Sequence, residues 1–138
     1  MDVLNKEQRH YNMSQIRSGN TKPEIIVRKY LWKNGFRYRL HRKDLPGKPD
    51  IVLSKYQTVI FVNGCFWHMH KCKNFFMPAT NTDFWREKLS ANKLRDKKNY
   101  QKLKKMGWHV ITIWECRLNS KKEQLLQKIC NELTALLQ

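Results

Sequence analysis

Acidic residues are scarce in this chain of 138 residues, which has 11 Asp and Glu against 28 Lys and Arg and a formal net charge of +17. Such an excess of one sign destabilises a compact state through self-repulsion, and an anionic partner relieves it. Because the basic residues are spread along the whole chain, nucleic acid fits better than a membrane surface. A protein that is merely kept soluble by its charge is the weaker alternative, since most soluble domains need much less charge.

Long apolar runs are also lacking. No stretch approaches about 18 consecutive apolar residues, so the sequence predicts no transmembrane helix and no membrane partner. The segment from Met1 to Glu7 lacks the apolar core of a secretory signal. We therefore expect an intracellular, reducing location, where the four cysteines indicate metal binding or reactivity more than disulfides.

No repeat, low-complexity tract or long linker divides the chain. The polar, basic segment over residues 1–20 predicts a flexible arm that is loosely held or that orders only on its partner, while residues 21–138 predict a single domain. A hydrophobic content of 41% is enough to build its core.

The order of the elements indicates an α/β protein whose central mixed sheet is flanked by helices. Thr21 and Glu24 form a T-x-x-E capping box that opens a helix, and Asn34-Gly35 ends it. Four segments have strand patterns: residues 36–40, 50–53, 58–62 and 108–114. The third of these is apolar throughout and is therefore expected at the centre of the sheet. Two further helices are predicted, one capped by residues 81–83 and ended by Gly107, the other opened by a capping box at residues 120–123.

Ten residues after the third strand, 63–72, contain two cysteines, two histidines and two adjacent aromatic residues. Cys65, His70 and Cys72 lie in this loop, and Cys116 follows the fourth strand. Together they form a Cys3His set suited to tetrahedral zinc, and a site closed by four protein ligands is structural. The alternative is a group of unlinked buried cysteines with a surface histidine, while Cys130 fits the apolar pattern of the last helix and is expected in the core.

Asp50 follows Pro49 and begins a strand, so its carboxylate should lie at a sheet end, where it could bind Mg²⁺ or cap the preceding turn. Glu24 is accounted for by its capping box, and Asp96 by a helix-surface ion pair. The zinc set needs only one loop histidine, which leaves His68 or His70 either to move a proton or to lie exposed.

Phe66 and Trp67 are adjacent in a loop, so both cannot point into a sheet core as alternating strand residues do. Burial of one is expected. The other, or both, could wedge between bases of a duplex or stack on exposed bases.

Taken together, these residues resemble the very short patch repair (Vsr-type) mismatch endonucleases over nearly the whole chain. The segments that carry the resemblance are residues 12–14, 21–24, 45–50, 61–68, 78–82 with 84–85, and 107–116. The resemblance implies a fold related to the type II restriction endonucleases. It also implies an Mg²⁺-dependent nick on the 5′ side of the thymine in a T:G mismatch, which arises when 5-methylcytosine deaminates.

The resemblance also implies roles for individual residues. Asp50 would be the metal-binding carboxylate, assisted by the backbone carbonyl of Val62, and Glu24 would hold metal-bound water. His68, oriented by Asp96, would be the general base. Phe66 and Trp67 would form an aromatic wedge that enters the DNA beside the mismatch, and Met13 would approach from the other groove of the duplex. The structural zinc ligands would be Cys65, His70, Cys72 and Cys116.

One position departs from the family pattern, because Asn63 stands where the family often carries a histidine. An amide can hydrogen-bond a phosphate oxygen but cannot move a proton at neutral pH. The Glu-x-Lys pair of related nucleases is also absent after the third strand. We therefore expect a lower rate than that of a relative with the histidine.

The implied partner is double-stranded DNA with a T:G mismatch. The resemblance further implies a functional association with a cytosine-5 DNA methyltransferase system and with mismatch-repair proteins, in the bacterial cytoplasm at the nucleoid. We expect a monomer, because nicking one strand needs one active site. Two alternatives stay open: a related nuclease with another lesion or sequence preference, and a catalytically impaired, zinc-stapled DNA-binding protein.

Overall fold

The computed structural model describes residues 21–72 and 75–137. The predicted arm over residues 1–20, including Met13, lies outside the described residues. The elements follow in this order: α1 Lys22–Lys33, β1 Arg39–Leu40, β2 Ile51–Leu53, a 3-10 turn Ser54–Tyr56, β3 Thr58–Asn63, α2 Thr82–Lys105, β4 His109–Trp114 and α3 Glu115–Leu136. Among the described helices, none has the length and apolarity that a bilayer crossing requires.

The four strands form one mixed sheet in the order β1-β2-β3-β4, which confirms the predicted sheet type. β1 and β3 are each antiparallel to β2, whereas β3 and β4 are parallel. A parallel pair needs a crossover connection, and α2 provides it. β3 is interior and almost entirely buried, as its apolar sequence predicted. Because Ile51 pairs with Ile60 and Asn63 pairs with Trp114, the start of β2 and the ends of β3 and β4 meet at one sheet edge.

The two faces of the sheet are covered by different helices, because successive strand residues point to opposite faces. On one face, Ile51, Leu53 and Ile60 pack with residues of α1 and α3, including Leu31 and Leu126. On the other face, the core residues are Leu45, Val52, Val59, Phe61 and Leu103 of α2. Each fully buried aliphatic side chain contributes about 1.5–3 kcal/mol to folding. The helices on both faces therefore fix the position of the sheet edge where the start of β2 meets the ends of β3 and β4.

The predicted start and end of α1 are confirmed. The Thr21 hydroxyl accepts a 3.4 Å hydrogen bond from the N–H of Glu24, and Asn34 lies at the C-cap. Gly35 follows with a φ of +89°, a left-handed conformation that glycine adopts without a steric penalty.

One predicted boundary was wrong. Only Arg39–Leu40 of the strand predicted over residues 36–40 is paired, because Phe36 is buried at the end of α1, where its N–H donates to the Leu31 carbonyl at 2.9 Å. The predicted start of the last helix at residues 120–123 coincides with a kink at Lys121, which has the non-helical angles φ −141° and ψ 48°, and the unpredicted feature is the additional helical segment from Glu115 that leads into it. The second capping box therefore coincides with a break inside a longer helix.

Candidate active site and metal centre

Three side chains that could bind a metal converge at the sheet edge. They belong to Glu24 in the first turn of α1, His41 just after β1 and Asp50 just before β2. One potential ligand atom from each lies within 4.8 Å of the other two. The sequence predicted roles for the two carboxylates but not for His41, because a histidine between basic residues of a short loop carries no local signal.

Glu24 is held in this cluster by two neighbours. Its side chain is 2% exposed, and its Oε2 accepts a 2.9 Å hydrogen bond from Nη1 of Arg28. His41 Nε2 lies 2.9 Å from both carboxylate oxygens. The capping box explains the backbone of Glu24, but its buried carboxylate belongs to the site.

Asp50 is tied across the sheet rather than to the preceding turn. Its Oδ2 accepts a 2.8 Å hydrogen bond from the N–H of Val62 in β3. Burial raises the pKa of Asp50 to about 7, the Val62 hydrogen bond opposes that rise, and the neighbouring Glu24 carboxylate adds to it. The ionised form of this carboxylate is therefore unfavourable until a cation relieves it. The Val62 carbonyl lies on the same side of β3 as its N–H, because both groups of a strand residue point to one neighbouring strand.

His68 and Asp96 form a hydrogen-bonded pair between the loop after β3 and the middle of α2. His68 Nδ1 contacts Asp96 Oδ2, and both side chains are about three-quarters buried, with 25% and 22% exposure. A carboxylate that accepts the Nδ1 proton leaves Nε2 as the acceptor. The structure thus places Asp96 against an imidazole rather than in the surface ion pair that its lysine-rich surroundings suggested.

Asn63 and Tyr100 form a third pair, between the end of β3 and α2. Asn63 is 4% exposed, and its Nδ2 donates a 2.9 Å hydrogen bond to the hydroxyl of Tyr100. Burial raises the pKa of Tyr100, and the carboxylates of Asp96 and Asp50 raise it further. Tyr100 therefore lies within the electrostatic range of both carboxylates. It was predicted only as an apolar point of α2, since nothing in the sequence shows which side of a helix meets the sheet edge.

A groove of about 970 Å³ opens beside His68 and Asp96, between the loop and α2. Tyr100 and Trp114 contribute to its wall. Its exposed cations are Lys71, Lys93, Lys97 and Lys104. A lysine-lined groove next to a histidine is suited to a phosphate backbone, which binds largely through charge.

The structure brings together the four residues that were predicted as zinc ligands. One potential ligand atom from each of Cys65, His70, Cys72 and Cys116 lies within 4.8 Å of the others. None of the cysteines in the described part of the chain forms a disulfide. Cys116 Sγ lies 3.5 Å from His70 Nδ1, and the His70 ring stacks on Trp114 with a centroid distance of 4.1 Å.

The chemistry of this donor set fits a bound metal ion. Burial raises the pKa of the Cys65 thiol to about 12, and the neighbouring Cys72 and Cys116 add to the rise. Three thiols this close disfavour one another's thiolate forms unless a cation lies between them. Cys130, by contrast, is buried in the core next to α1, as predicted.

The two predicted wedge residues lie in a surface cluster of aromatic rings. Phe66 and Trp67 are half-buried and meet edge to face at 5.1 Å. Trp85 at the start of α2 contacts both, at 5.6 and 5.9 Å, and Phe75 and Phe84 extend the cluster. Neither predicted ring is deep inside the protein. Trp85 was not predicted as part of this surface, although its position beside Phe84 at a helix start was a usable signal.

Comparison with known proteins identifies the family. The family model described as DNA mismatch endonuclease Vsr matches residues 1–74. The chain is 51% identical over 120 residues to the type II nicking enzyme V.NmeAIP of Neisseria meningitidis, an alignment that covers 87% of this chain and 86% of the relative. The chain belongs to the Vsr family of DNA mismatch endonucleases. It is therefore a DNA endonuclease, which confirms the resemblance seen in the sequence.

Two other relatives of this Vsr-family chain are of similar length. Type II nicking enzyme V.XorIIP of Xanthomonas oryzae is 48% identical over 118 residues, with 86% of this chain and 87% of the relative covered. DNA mismatch endonuclease Vsr of Escherichia coli is 39% identical over 139 aligned positions, with 95% and 89% covered.

A solved structure supports the fold. The catalytic domain of homing endonuclease I-Bth0305I superposes with a TM-score of 0.59 at 22% identity, covering 86% of this chain and all of that chain. This likeness bears on the fold alone and agrees with the expected restriction-endonuclease-like arrangement.

Proposed function

We propose that this Vsr-family endonuclease nicks one strand of a duplex on the 5′ side of the thymine in a T:G mismatch, using Mg²⁺. The observation that carries the proposal is the presence of two groups whose carboxylates, Asp50 in one and Asp96 in the other, both raise the pKa of Tyr100. Ligand atoms of Glu24 and Asp50 lie within 4.8 Å of each other, and the His68–Asp96 pair lies at a lysine-lined groove. Phosphodiester hydrolysis needs both a cation site and a proton acceptor.

In this proposal the Asp50 carboxylate and the Val62 carbonyl hold the ion. When bound, Mg²⁺ stabilises the negative charge that develops on the phosphate and its leaving oxygen. The hydrogen bond from the Val62 N–H keeps Asp50 directed toward the sheet edge. Glu24, anchored by Arg28, belongs to the same cluster and would position a water molecule beside Asp50.

His68 is the proposed general base. Its Nε2 takes a proton from the attacking water while a new bond forms between the water oxygen and phosphorus. The bond from phosphorus to the 3′ oxygen breaks, and that oxygen takes a proton from a second water, because Asn63 cannot donate one as an acid. The products are a 3′ hydroxyl and a 5′ phosphate. Asp96 acts through His68, since it fixes the ring and stabilises the imidazolium.

Zinc has a structural role in this proposal. The ligands Cys65, His70 and Cys72 come from the loop after β3, while Cys116 lies in the first turn of α3. A zinc ion held by all four would fix the loop that carries both His68 and the aromatic pair. A bound zinc ion would therefore hold the proton acceptor and the residues that meet the bases in place together.

Recognition of the mismatch is assigned to the rings of Phe66 and Trp67. These rings lie on the same loop as His68 and are only half-buried, which leaves them able to enter a weakened base stack. A mismatched pair costs less to unstack than a matched pair, so insertion favours mismatched sites. Met13, outside the described residues, is the proposed contact from the opposite groove.

The names of two relatives favour a second candidate function. V.NmeAIP and V.XorIIP are each called a type II nicking enzyme. These names favour an enzyme that selects its cutting site by the DNA sequence and does not require a mismatch. The lysine-lined groove serves either substrate, because phosphate contacts position a protein without reading sequence. Only the substrate dependence of nicking separates the two candidates.

The cellular setting follows from the proposed substrate. Deaminated 5-methylcytosine arises where a cytosine-5 DNA methyltransferase acts, and a nick at that position requires further repair proteins. We place the enzyme in the bacterial cytoplasm at the nucleoid, acting as a monomer over a domain of residues 21–138 with residues 1–20 as a DNA-contacting arm.

The experiment that tests the proposal is a nicking assay on duplexes that differ at one base pair. T:G, U:G, A:C and matched pairs are compared within one flanking sequence, with and without Mg²⁺. Preference for T:G with no cutting in the absence of metal supports the proposal. Equal cutting of matched and mismatched duplexes supports the second candidate instead.

A further inference from the structure

We propose that His41 is a direct ligand of the catalytic ion, and that its imidazole gives a Glu24–His41–Asp50 site a preference for Mn²⁺ over Mg²⁺. This inference rests on the proposed function, which places a divalent ion at Asp50. It adds a nitrogen ligand from a segment to which neither the sequence pattern nor the family resemblance assigned a role.

The distances within the cluster suit a shared ion. An ion with bonds of about 2.1 Å has adjacent ligand atoms about 3 Å apart and opposite ones about 4.2 Å apart. His41 Nε2 lies 2.9 Å from each oxygen of Glu24, and a ligand atom of Asp50 lies within 4.8 Å of both residues. Arg28 anchors Oε2 of Glu24, so the carboxylate remains in place when an ion enters beside Oε1.

The backbone directs His41 toward the site. Its N–H donates to the carbonyl oxygen of Asp50 at 3.2 Å, which couples the His41 loop to the start of β2. The imidazole is 30% exposed, whereas the Glu24 side chain is 2% exposed. The cluster is thus open toward solvent on the side of His41 and closed toward the core on the side of Glu24.

The mixed donor set determines which ion is preferred. Mg²⁺ binds almost only to oxygen and retains several waters, whereas Mn²⁺ accepts imidazole nitrogen as well as carboxylate oxygen. A site with two carboxylates and one imidazole should therefore gain affinity for Mn²⁺ from the nitrogen, while Mg²⁺ gains little. A histidine that only hydrogen-bonds Glu24 would give no such distinction between the two ions.

Pulsed electron paramagnetic resonance of Mn²⁺ bound to the zinc-loaded, full-length protein tests the proposal without DNA or turnover. The wild type should show the ¹⁴N modulation of a coordinated imidazole, and His41→Gln should lose it with an Mn²⁺ Kd raised about tenfold. The Kd of Mg²⁺ should change about twofold or less. His109→Gln is the matched control, because His109 is exposed at the start of β4.

Two results would overturn the inference: Mn²⁺ bound to the wild type without ¹⁴N modulation, or the same modulation in His41→Gln. Failure of this inference can be distinguished from failure of the proposed function. If the wild type nicks T:G duplexes with Mg²⁺ but shows no ¹⁴N signal, only the His41 ligand is wrong. If the signal is present and no duplex is nicked, the ion site stands and the proposed function fails.

Discussion

The side-chain amide of Asn63 donates a 2.9 Å hydrogen bond to the hydroxyl of Tyr100, and this contact links the end of β3 to α2 at the candidate active site. Asn63 is adjacent to Val62, while Tyr100 is four residues beyond Asp96 on the same helix. The bond also holds Tyr100 where the carboxylates of both Asp50 and Asp96 raise its pKa.

Replacing Asn63 with histidine should raise the single-turnover nicking rate roughly tenfold, because an imidazole can protonate the leaving oxygen and an amide cannot. Asn63→Ala removes the bond to Tyr100 without adding an acid, so it is the matched control and should not gain. Rapid-quench measurement on a T:G duplex at saturating enzyme gives the rates. No gain for Asn63→His would mean that a water protonates the leaving oxygen without rate limitation.

Asp50→Asn should abolish nicking and at the same time stabilise the magnesium-free protein. The substitution removes a metal ligand, and we expect the rate to fall by more than about a hundredfold. Asp83→Asn is the control, because its carboxylate is fully exposed at the start of α2. Unchanged nicking in Asp50→Asn would remove this residue from the mechanism.

The stability effect of Asp50→Asn should depend on pH. The folded state holds the Asp50 proton up to a pKa of about 7, whereas the unfolded chain releases it near pH 4. The folded state therefore binds more protons in this window, and its free energy of unfolding falls as pH rises through it. By pH 8, Asp50→Asn should be more stable than the wild type by about 2–4 kcal/mol, with little difference at pH 4. Denaturant unfolding in magnesium-free buffer measures this, and equal stability at both pH values would contradict it.

Asp96→Asn should slow nicking while leaving DNA binding unchanged. An amide cannot stabilise the imidazolium of His68 and can hold the ring in the wrong tautomer, so we expect a loss of roughly a hundredfold to ten-thousandfold. Asp44→Asn is the control, because Asp44 pairs with Arg42 on the exposed surface. Fluorescence anisotropy gives the Kd for a T:G duplex. A loss of binding that accounts for the whole loss of rate would show that Asp96 supports the fold of the groove and not the proton acceptor.

Residue patterns within short segments predicted much of this site. The contacts between residues that are distant in the sequence could not be predicted from it. The Cys3His set could be predicted because thiols and imidazoles crowd into one loop. Glu24 was explained locally by its cap, yet its carboxylate turns into the cluster while only its N–H bonds to Thr21. His41 and Tyr100 join the site through the packing of distant elements.

The same division applies to the fold. Caps and apolar runs predicted α1, β2, β3 and the order of elements, because these signals are local. The alternation of residues 36–40 did not produce a full strand, since Phe36 is more favourably buried beside α1 than kept in register with β2. Tertiary burial outweighed strand propensity there.

Cys116→Ser should lower the zinc content from about one ion per chain and destabilise the protein. Cys116 contributes a thiolate from α3, and without it the loop after β3 is no longer tied to that helix. Cys130→Ala is the control, because Cys130 lies in the core away from the metal centre. Elemental analysis of protein purified without added metal gives the stoichiometry. A zinc content near zero in the wild type would reject the Cys3His site.

Trp67→Ala should reduce the preference for mismatched DNA more than it reduces overall DNA binding. Stacking of an aromatic ring on a base contributes about 1–3 kcal/mol, so the T:G Kd should rise roughly tenfold while the matched-duplex Kd changes little. Trp32→Ala is the control, because Trp32 is exposed on α1 and packs on Arg37. An equal loss of affinity for both duplexes would assign Trp67 to packing of the Phe66–Trp85 cluster.

Mapping the cut on a duplex labelled separately on each strand, with one T:G pair, tests mismatch-directed nicking most directly. We predict a single Mg²⁺-dependent break immediately 5′ of the mismatched thymine, an intact complementary strand, and no cut when the guanine is replaced by adenine. Cleavage of both strands, or a break at the same position in the fully paired duplex, would contradict it.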